Sequence, residues 1–502
     1  MSLSLQLARH CMRPVSDEAL ARARLHLLDW VACAAAGATE PDAYALYNGL
    51  GLPSVSTDST AGGPTAGSAV GPAWGSDVGS TDRSALGPAA RVSDPWQGLL
   101  FRAAVGNRLE MDDVHKQALV HPGPVVIPAA LFLAERLSLR PEQLLVAIVR
   151  GYEAMICLGR AVGPGHYEYW HNTATCGPLG AAAAACSSLR LTEPQWGDAF
   201  GHALTQAAGL WQVRLEPCQS KQWHNARAAQ TGVQAAWLAH CGARGPTRIL
   251  EGEKGFFAAM CPDGDLEALL PTRESANAPG ARHWEIFNTS FKPWPACRHA
   301  HATLDCALDL RTQLIRQTDD VGRGNRAGQA IKEVKTIRVG TYDDAIAFCD
   351  KPHPQTPDEA RFSLQHCVAV ALYFGAPEMH HFAPDALRDP TLTSLRARVH
   401  VAPQAALNTA YPAHFGAEVK LEFADGSVLA ARRTDAWGDP ERPMQQEDIV
   451  NKARRLLKGA SPGIQPERLI NSCLSLERGQ NATTTHRLLH ELNDMFDRVQ
   501  PV

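Results

Sequence analysis

Between Asp17 and Ala38 apolar residues recur three and four positions apart, at Leu20, Ala23, Leu27, Leu28 and Val31, and Gly37 closes the run. That period predicts a helix whose role is packing. From Trp96 to about Leu270, Ala- and Leu-rich stretches of the same kind alternate with short Gly/Pro turns, as in 125-VVIPAALFLAERLSL, 180-GAAAAACSSL and 226-ARAAQTGVQAAWLAHCG. So much alanine lets helix axes approach closely. From about Ile286 the period changes to alternation in 331-IKEVKTIRVGTY, 396-RARVHVAP and 417-AEVKLEFADGSVLAARR, the last folding back at an Asp-Gly turn. After Pro443 the helical period returns in 448-DIVNKARRLLKG and 465-QPERLINSCLSLERG. The expected fold class is mainly α with a second, α+β domain. Its parts are a helical domain over residues 1–284, the α+β domain over 285–442, and C-terminal helices over 443–502 that pack back on the helical domain. The stretch near residues 51–95 is rich in Gly, Ser, Thr, Ala and Pro and has no lysine. It reads as a long surface loop or an inserted, partly mobile linker.

A chain of 502 residues exceeds what one core usually serves, so two domains are expected, large enough to bury a site away from water. The 48 Lys+Arg against 52 Asp+Glu leave a net charge of -4, without a basic block to neutralise a run of phosphates, which argues against nucleic acid as a partner. Met1 to Pro14 carries no apolar run after a basic start, and no stretch approaches the roughly 18 apolar residues of a membrane helix. A soluble, cytoplasmic protein is expected, with no membrane partner. The 13 cysteines are scattered from Cys11 to Cys473 without CxxC or zinc-type spacing. They fit reduced thiols, most of them small core residues such as Cys186.

Four polar clusters could carry chemistry. In 110-EMDDVHKQALVHPGPVVIPAA, Glu110 and Asp113 share a helix face if the segment is helical, and His115 and His121 bracket the turn at Pro122 and Gly123. Metal-ligand spacing is absent, and charges at a helix end are more often merely solvated. In 166-HYEYWHNTATCGPLGAAAAAC, aromatic residues surround His171 and a helix is expected to start near Pro178, where backbone N–H groups could hold a carboxylate. A core histidine bonded to a carbonyl fits as well. In 221-KQWHNARAAQTG, Lys221 and His224 open an Ala-rich helix whose dipole would lower the lysine pKa, although a surface lysine is the commoner case. The fourth, 292-KPWPACRHAHATLD, places Lys292, Arg298, His299 and His301 at the change of domain, where a ligand would lie.

At these clusters the sequence resembles the MmgE/PrpD family, which includes 2-methylcitrate dehydratases, cis-aconitate decarboxylases and iminodisuccinate epimerases. The resemblance covers nearly the whole chain, through 26-HLLDWVACAAAGA, 109-LEMDDVHKQALVHPG, 151-GYEAMICLGRA, the His171 to Gly177 stretch, 246-PTRILEGEKGFF, 292-KPWPACRHAH and 359-EARFSLQHCVAVAL. It implies a helical large domain formed from both chain ends, a smaller α+β lid, a homodimer, no metal or organic cofactor, and a site in the cleft between the domains. The acidic motif falls on Glu110, Asp112 and Asp113, the following histidine on His121, the aromatic-histidine motif on His171, the lysine motif on Lys221, and the lid motif on Lys292 through His301. Glu110 stands where many members have Asp, the spacing from Asp113 to His121 is one residue longer than in some, and the Gly51 to Pro95 stretch is longer and richer in glycine than usual.

Removing a proton beside a carboxylate builds negative charge there, so such a site needs a base, cationic partners and little water. The expected proton-transfer groups are His121, His171, Lys221 and Asp113: His171 or Lys221 takes the α proton, and His121, oriented by Asp113, protonates the leaving hydroxyl. Glu110, His115, His224, Lys292, Arg298 and His301 are expected to bind a small polycarboxylate substrate, Arg298 and Lys292 as clamps. The preferred reading is a metal-independent lyase like 2-methylcitrate dehydratase. The alternatives are a cis-aconitate decarboxylase-like or iminodisuccinate epimerase-like enzyme, and below these a catalytically silent polycarboxylate-binding relative.

Overall fold

The structure, a computed structural model, describes residues 1–52, 94–216, 218–270, 284–319, 331–461 and 463–498. Most of the glycine-rich stretch expected near 51–95 lies outside these residues. The fold is mainly helical with one small mixed sheet.

The helix expected from Asp17 spans Asp17–Gly37. Ser16 caps it by accepting from the Ala19 N–H, and Asp17 and Glu18 sit in the first turn, where the helix dipole favours negative charge. Its second half is buried on every side. The helices Gln446–Ala460 and Pro466–Leu474 pack against it. Inside this contact Lys452 Nζ lies 2.6 Å from Asp29 and donates to the Met111 carbonyl at 2.5 Å. One cluster of buried apolar side chains accordingly joins residues between Leu7 and Ile286 to residues between Ala453 and Phe496.

The Ala-rich segments pack as predicted but begin elsewhere. The helix expected to start near Pro178 spans Asn172–Ser188 and carries Pro178 inside it. Close packing on both sides outweighs the hydrogen bond that proline removes. On one side Gly151 of the helix Pro141–Ala161 meets Gly180: a Cβ on Gly180 would fall 2.7 Å from the Met155 Cβ and 2.9 Å from the Gly151 carbonyl. On the other lies the helix Ser220–His240.

A second cluster of buried apolar residues runs from Trp294 to Leu421. It is built around the helix Arg298–Asp319 and four strands, β1 (Val334–Thr341), β2 (Val399–Pro403), β3 (Ala417–Phe423) and β4 (Val428–Arg433). Their order is β2-β1-β3-β4. β1 and β2 run parallel with Ile337 opposite Val399, and the other two pairings are antiparallel, with Val339 opposite Val419 and Val419 opposite Ala431. The predicted hairpin turns at Gly426, whose φ of 85° favours glycine. Among the described residues no helix is long and apolar enough to cross a membrane.

Candidate active site

The segment from Glu110 to Asp113 is not helical, and this decides what its carboxylates do. Glu110 takes the left-handed conformation, with φ 54°, and backbone bridges pair Val114 with Ser290 and His115 with Val120. The three acids therefore diverge. Glu110 turns into a cavity of about 400 Å³, where it pairs with Lys221 and, at 3.3 Å, with Lys292. Asp112 faces His121, its Oδ2 2.7 Å from Nδ1, and accepts from the Asn107 amide at 2.7 Å. Asp113 points into the core, to His26 at 2.6 Å, the Tyr152 hydroxyl at 2.5 Å and the Gly123 N–H at 2.9 Å. The expectation that Asp113 orients His121 is thus corrected: the partner is Asp112. Glu110 and Asp113 share no helix face.

His121, His171, Lys221, Lys292, Arg298 and His299 all line the cavity. His121 engages Asp112 through Nδ1. A carboxylate only accepts, so Nδ1 carries the proton and Nε2 is the free ring nitrogen. His171 caps the helix Asn172–Ser188 and lies 3.2 Å from His224, Nδ1 to Nδ1, with His224 behind it and off the cavity wall. One of the two donates and the other accepts, so the two are not both charged. Burial, then the charges of His224 and Lys221, push His171 well below the ordinary imidazole range, and burial with Lys221 brings His224 down to about 4.

Lys221 departs from expectation. Burial draws its pKa down, but the Glu110 charge and hydrogen bond outweigh that and hold it above the ordinary lysine value. It is an ammonium, not the depressed amine that its place at a helix start predicts. Burial would likewise raise Glu110, yet Lys221 and Lys292 keep it well below the carboxylate range. A buried anion between two cations is the electrostatic centre of the site.

Besides His224, two more expected ligand contacts lie elsewhere. His115 sits 3.3 Å from Glu285 and accepts from the Ala118 N–H, and His301 is held between Arg298 and the Ala296 carbonyl; neither lines the cavity. Arg298 does, but it pairs with Asp439.

Sequence reading missed an aromatic wall and the cation against it. Trp211, Tyr167, Phe348, His299 and Phe415 follow one another in ring contact, from Tyr167 and Trp211 at 5.7 Å to His299 and Phe415 at 5.1 Å. Arg214 lies over Phe348 and also lines the cavity. The aromatic character of 166-HYEYW and the placing of His299 in the fourth cluster hinted at this wall. The other members come from distant segments.

Two family models match the sequence, the MmgE/PrpD N-terminal domain over residues 61–269 and the MmgE/PrpD C-terminal domain over residues 294–476. The chain belongs to the MmgE/PrpD family. It is similar to a cis-aconitate decarboxylase-like protein, oryM, of Aspergillus oryzae, 26% identical over 76% of this chain and 80% of that protein. It is also similar to the cis-aconitate decarboxylase of Homo sapiens, 26% identical over 73% of each. A probable 2-methylcitrate dehydratase of Saccharomyces cerevisiae is 22% identical over 49% of this chain and 47% of its own length. Enzymes are thus prominent among the relatives of this MmgE/PrpD chain. Two groups of side chains among the described residues are close enough to share a cation, His10–Glu153–Cys157 and His414–Asp435–Glu441. Both are already engaged, Glu153 by Arg13 and the second group by Lys116.

Proposed function

We propose that the protein is a lyase acting on a small di- or tricarboxylate, and that decarboxylation of a cis-aconitate-type substrate is its reaction. Breaking the bond to a carboxylate releases CO2 and leaves the electron pair on carbon, spread over the neighbouring double bond. A proton must then reach carbon. Lys221 and Lys292 would oppose the developing charge in a cavity that water largely leaves. His121, held by Asp112 through Nδ1–H, would first take a proton from solvent at Nε2 and then, as imidazolium, pass it to the carbon and return to the neutral ring. No metal enters this scheme, since the two ammonium groups supply the positive charge.

The observation that favours decarboxylation over the dehydration preferred from sequence is the protonation state of the supposed bases. Taking an α proton requires a group ready to accept it. Lys221 is held as an ammonium, and His171 and His224 disfavour the proton by burial, which leaves His121 as the single group among them suited to proton exchange, and one group cannot be base and acid at once. Dehydration needs such a base in addition to an acid, and epimerisation needs one on each face. Decarboxylation needs only the clamp and the acid. The names of relatives that match over most of the chain point the same way.

The reading includes a homodimer in the cytoplasm. The exposed apolar side chains of Tyr169, Leu210, Leu215, Trp223, Trp237 and Leu238 would suit cover by a second copy, and all thirteen thiols are free, as suits a reducing compartment. Light scattering on the purified protein checks the first point, with a monomeric mass counting against it.

Proton NMR with CO2 detection, on separate incubations with cis-aconitate, citrate, 2-methylcitrate and iminodisuccinate, tests the reaction. The expected result is CO2 and a five-carbon unsaturated diacid from cis-aconitate. Water elimination from citrate or 2-methylcitrate without CO2 would restore the dehydratase reading, and racemisation of iminodisuccinate the epimerase reading. Inertness toward all four would point to the silent relative.

A further inference from the structure

The cations that line the cavity differ in what already occupies them. Arg108 is engaged by Asp42 and Asp358, Lys116 by Asp435 and Glu441 at 3.0 Å each, Lys221 and Lys292 by Glu110, and Arg298 by Asp439. Arg214 has no acidic partner among the described residues. It stands at the end of the short 3-10 turn Trp211–Arg214 and is half-buried. Its guanidinium carbon lies 4.0 Å from the centroid of Phe348 and 5.3 Å from that of Trp211. Stacking holds a guanidinium flat while leaving its N–H edges free, so that little freedom is lost when it grips a carboxylate in two-pronged fashion.

The charge balance requires such a group. Lys221 and Lys292 face one Glu110, so this end of the cavity carries a single uncompensated positive charge. A tricarboxylate brings three negative charges, and its remaining carboxylates would enter a partly desolvated cavity unpaired. Arg214 lies against Phe348 and Trp211 and takes no part in the Glu110 pairing. His299 feels burial first, then Lys292 and Arg214 together, and its imidazole is brought down to about 3. That places a neutral ring within the fields of both cations.

We propose that Arg214 is the specificity-determining residue of the cavity: it receives a second carboxylate of the substrate while Lys221 and Lys292 hold the first, and so selects polycarboxylates over monocarboxylates. The assignment rests on the polycarboxylate reading above. Lys351 also lines the cavity without an acidic partner among the described residues, but no aromatic ring is stacked on it, and it serves as the comparison.

The test is calorimetric binding of tricarballylate, a saturated tricarboxylate that cannot react, to the wild type and to Arg214→Gln, Arg214→Lys and Lys351→Met. Arg214→Gln should bind about 10- to 100-fold more weakly, the loss of a charge-assisted contact. Arg214→Lys should recover part of that, Lys351→Met should stay near wild type, and the melting temperature of all three should hold. With cis-aconitate, Arg214→Gln should raise KM by a similar factor and leave kcat within a few-fold, which a merely structural role would not produce. Failure of the wild type to bind tricarballylate would overturn the polycarboxylate reading itself. Wild-type binding that persists undiminished in Arg214→Gln, or that is lost in Lys351→Met instead, would overturn the role of Arg214 alone.

Discussion

His121 Nδ1 lies 2.7 Å from Asp112, whereas the next residue, Asp113, turns away to His26 at 2.6 Å and Tyr152 at 2.5 Å. One carboxylate fixes the ring that faces the cavity, and its neighbour ties three helical segments together from behind. Asp112→Asn should therefore lower kcat by about 10²- to 10⁴-fold, because an amide no longer fixes the Nδ1–H form of the ring. Its oxygen can still accept from Asn107, so stability should change little. Asp113→Asn should cost about 1 to 3 kcal/mol of stability and leave the folded protein active. Urea unfolding and turnover measured on both variants separate the two roles; equal loss of kcat in both, at equal folded fraction, would refute the division.

Glu110 sets the alkaline side of the activity profile. Its charge and hydrogen bond outweigh burial in holding Lys221 above the ordinary lysine value, so in the wild type the ammonium survives to high pH. Glu110→Gln leaves Lys221 and Lys292 facing each other with no anion between them. The alkaline limb of kcat/KM should then move down by about 1 to 3 pH units, the usual effect of one close charge. A profile from pH 7 to 10.5 should then show the falling limb in the variant and little of it in the wild type. An unmoved limb would mean that ionisation of Lys221 does not limit the reaction.

Lys452 links the C-terminal helices to the site. Its ammonium is fully buried, 2.6 Å from Asp29 and 2.5 Å from the Met111 carbonyl, and Met111 lies between Glu110 and Asp112. Burial, partly offset by Lys452, pushes Asp29 up to about 6. Lys452→Met should destabilise the protein by about 3 to 5 kcal/mol, because it strands a buried carboxylate. Asp29→Asn combined with Lys452→Met should cost less than the sum of the single changes. A double-mutant cycle by urea unfolding gives the coupling, and strict additivity would show that the pair does not act as one unit.

Much of the frame was legible because period and turn chemistry are local. The Asp17 helix, the alternation of β1 and β3, and the Asp-Gly turn at Gly426 each follow from a few adjacent residues. The chemistry was legible by residue type: Glu110, His121, His171, Lys221 and Lys292 do meet at one cavity. Their states were not. Whether Asp112 or Asp113 serves His121 depends on backbone that is non-helical after Val105 and turns left-handed at Glu110, and the Lys221 pKa depends on an acid more than a hundred positions away. The helix dipole argument for Lys221 was sound locally and lost to a direct ion pair. Arg214 carries no motif, since its meaning comes from Phe348, which folding alone brings beneath it. Pro178 likewise misplaced a helix start, because glycine-mediated packing tolerates a proline that an isolated helix would not.

Buried neutral histidines give the fold a specific sensitivity to acid. Burial brings His26, His299 and His366 down to about 4, 3 and 4, and pushes His171 and His301 well below the ordinary range. In each case the folded pKa lies below the unfolded value of about 6.5, so below that pH the unfolded chain binds protons that the folded chain refuses. Stability is therefore complete above pH ~6.5 and falls as the pH drops through the window down to the folded values. The depressed carboxylates act lower: Glu285, where hydrogen bonding and charge from His115 outweigh burial and bring it down to about 2, begins to lose its contribution only below its unfolded value of about 4.3. Between pH 6.5 and 5 the fall thus belongs to histidine, at about 1.4 kcal/mol per pH unit for each buried ring once the pH is well below 6.5, and it is opposed by Asp29 alone of the groups named, whose folded value of about 6 makes it take up a proton in that window. His366 isolates the effect, because it is held by Arg396 and the His381 carbonyl in the second apolar cluster and does not line the cavity. Urea midpoints from pH 8 to 5 should fall steeply for the wild type, and less steeply for His366→Gln by one ring's share. Stability that stays flat to pH 5 would mean that these rings titrate as in water, and the neutral His171–His224 pair on which the choice of decarboxylation rests would fail with them.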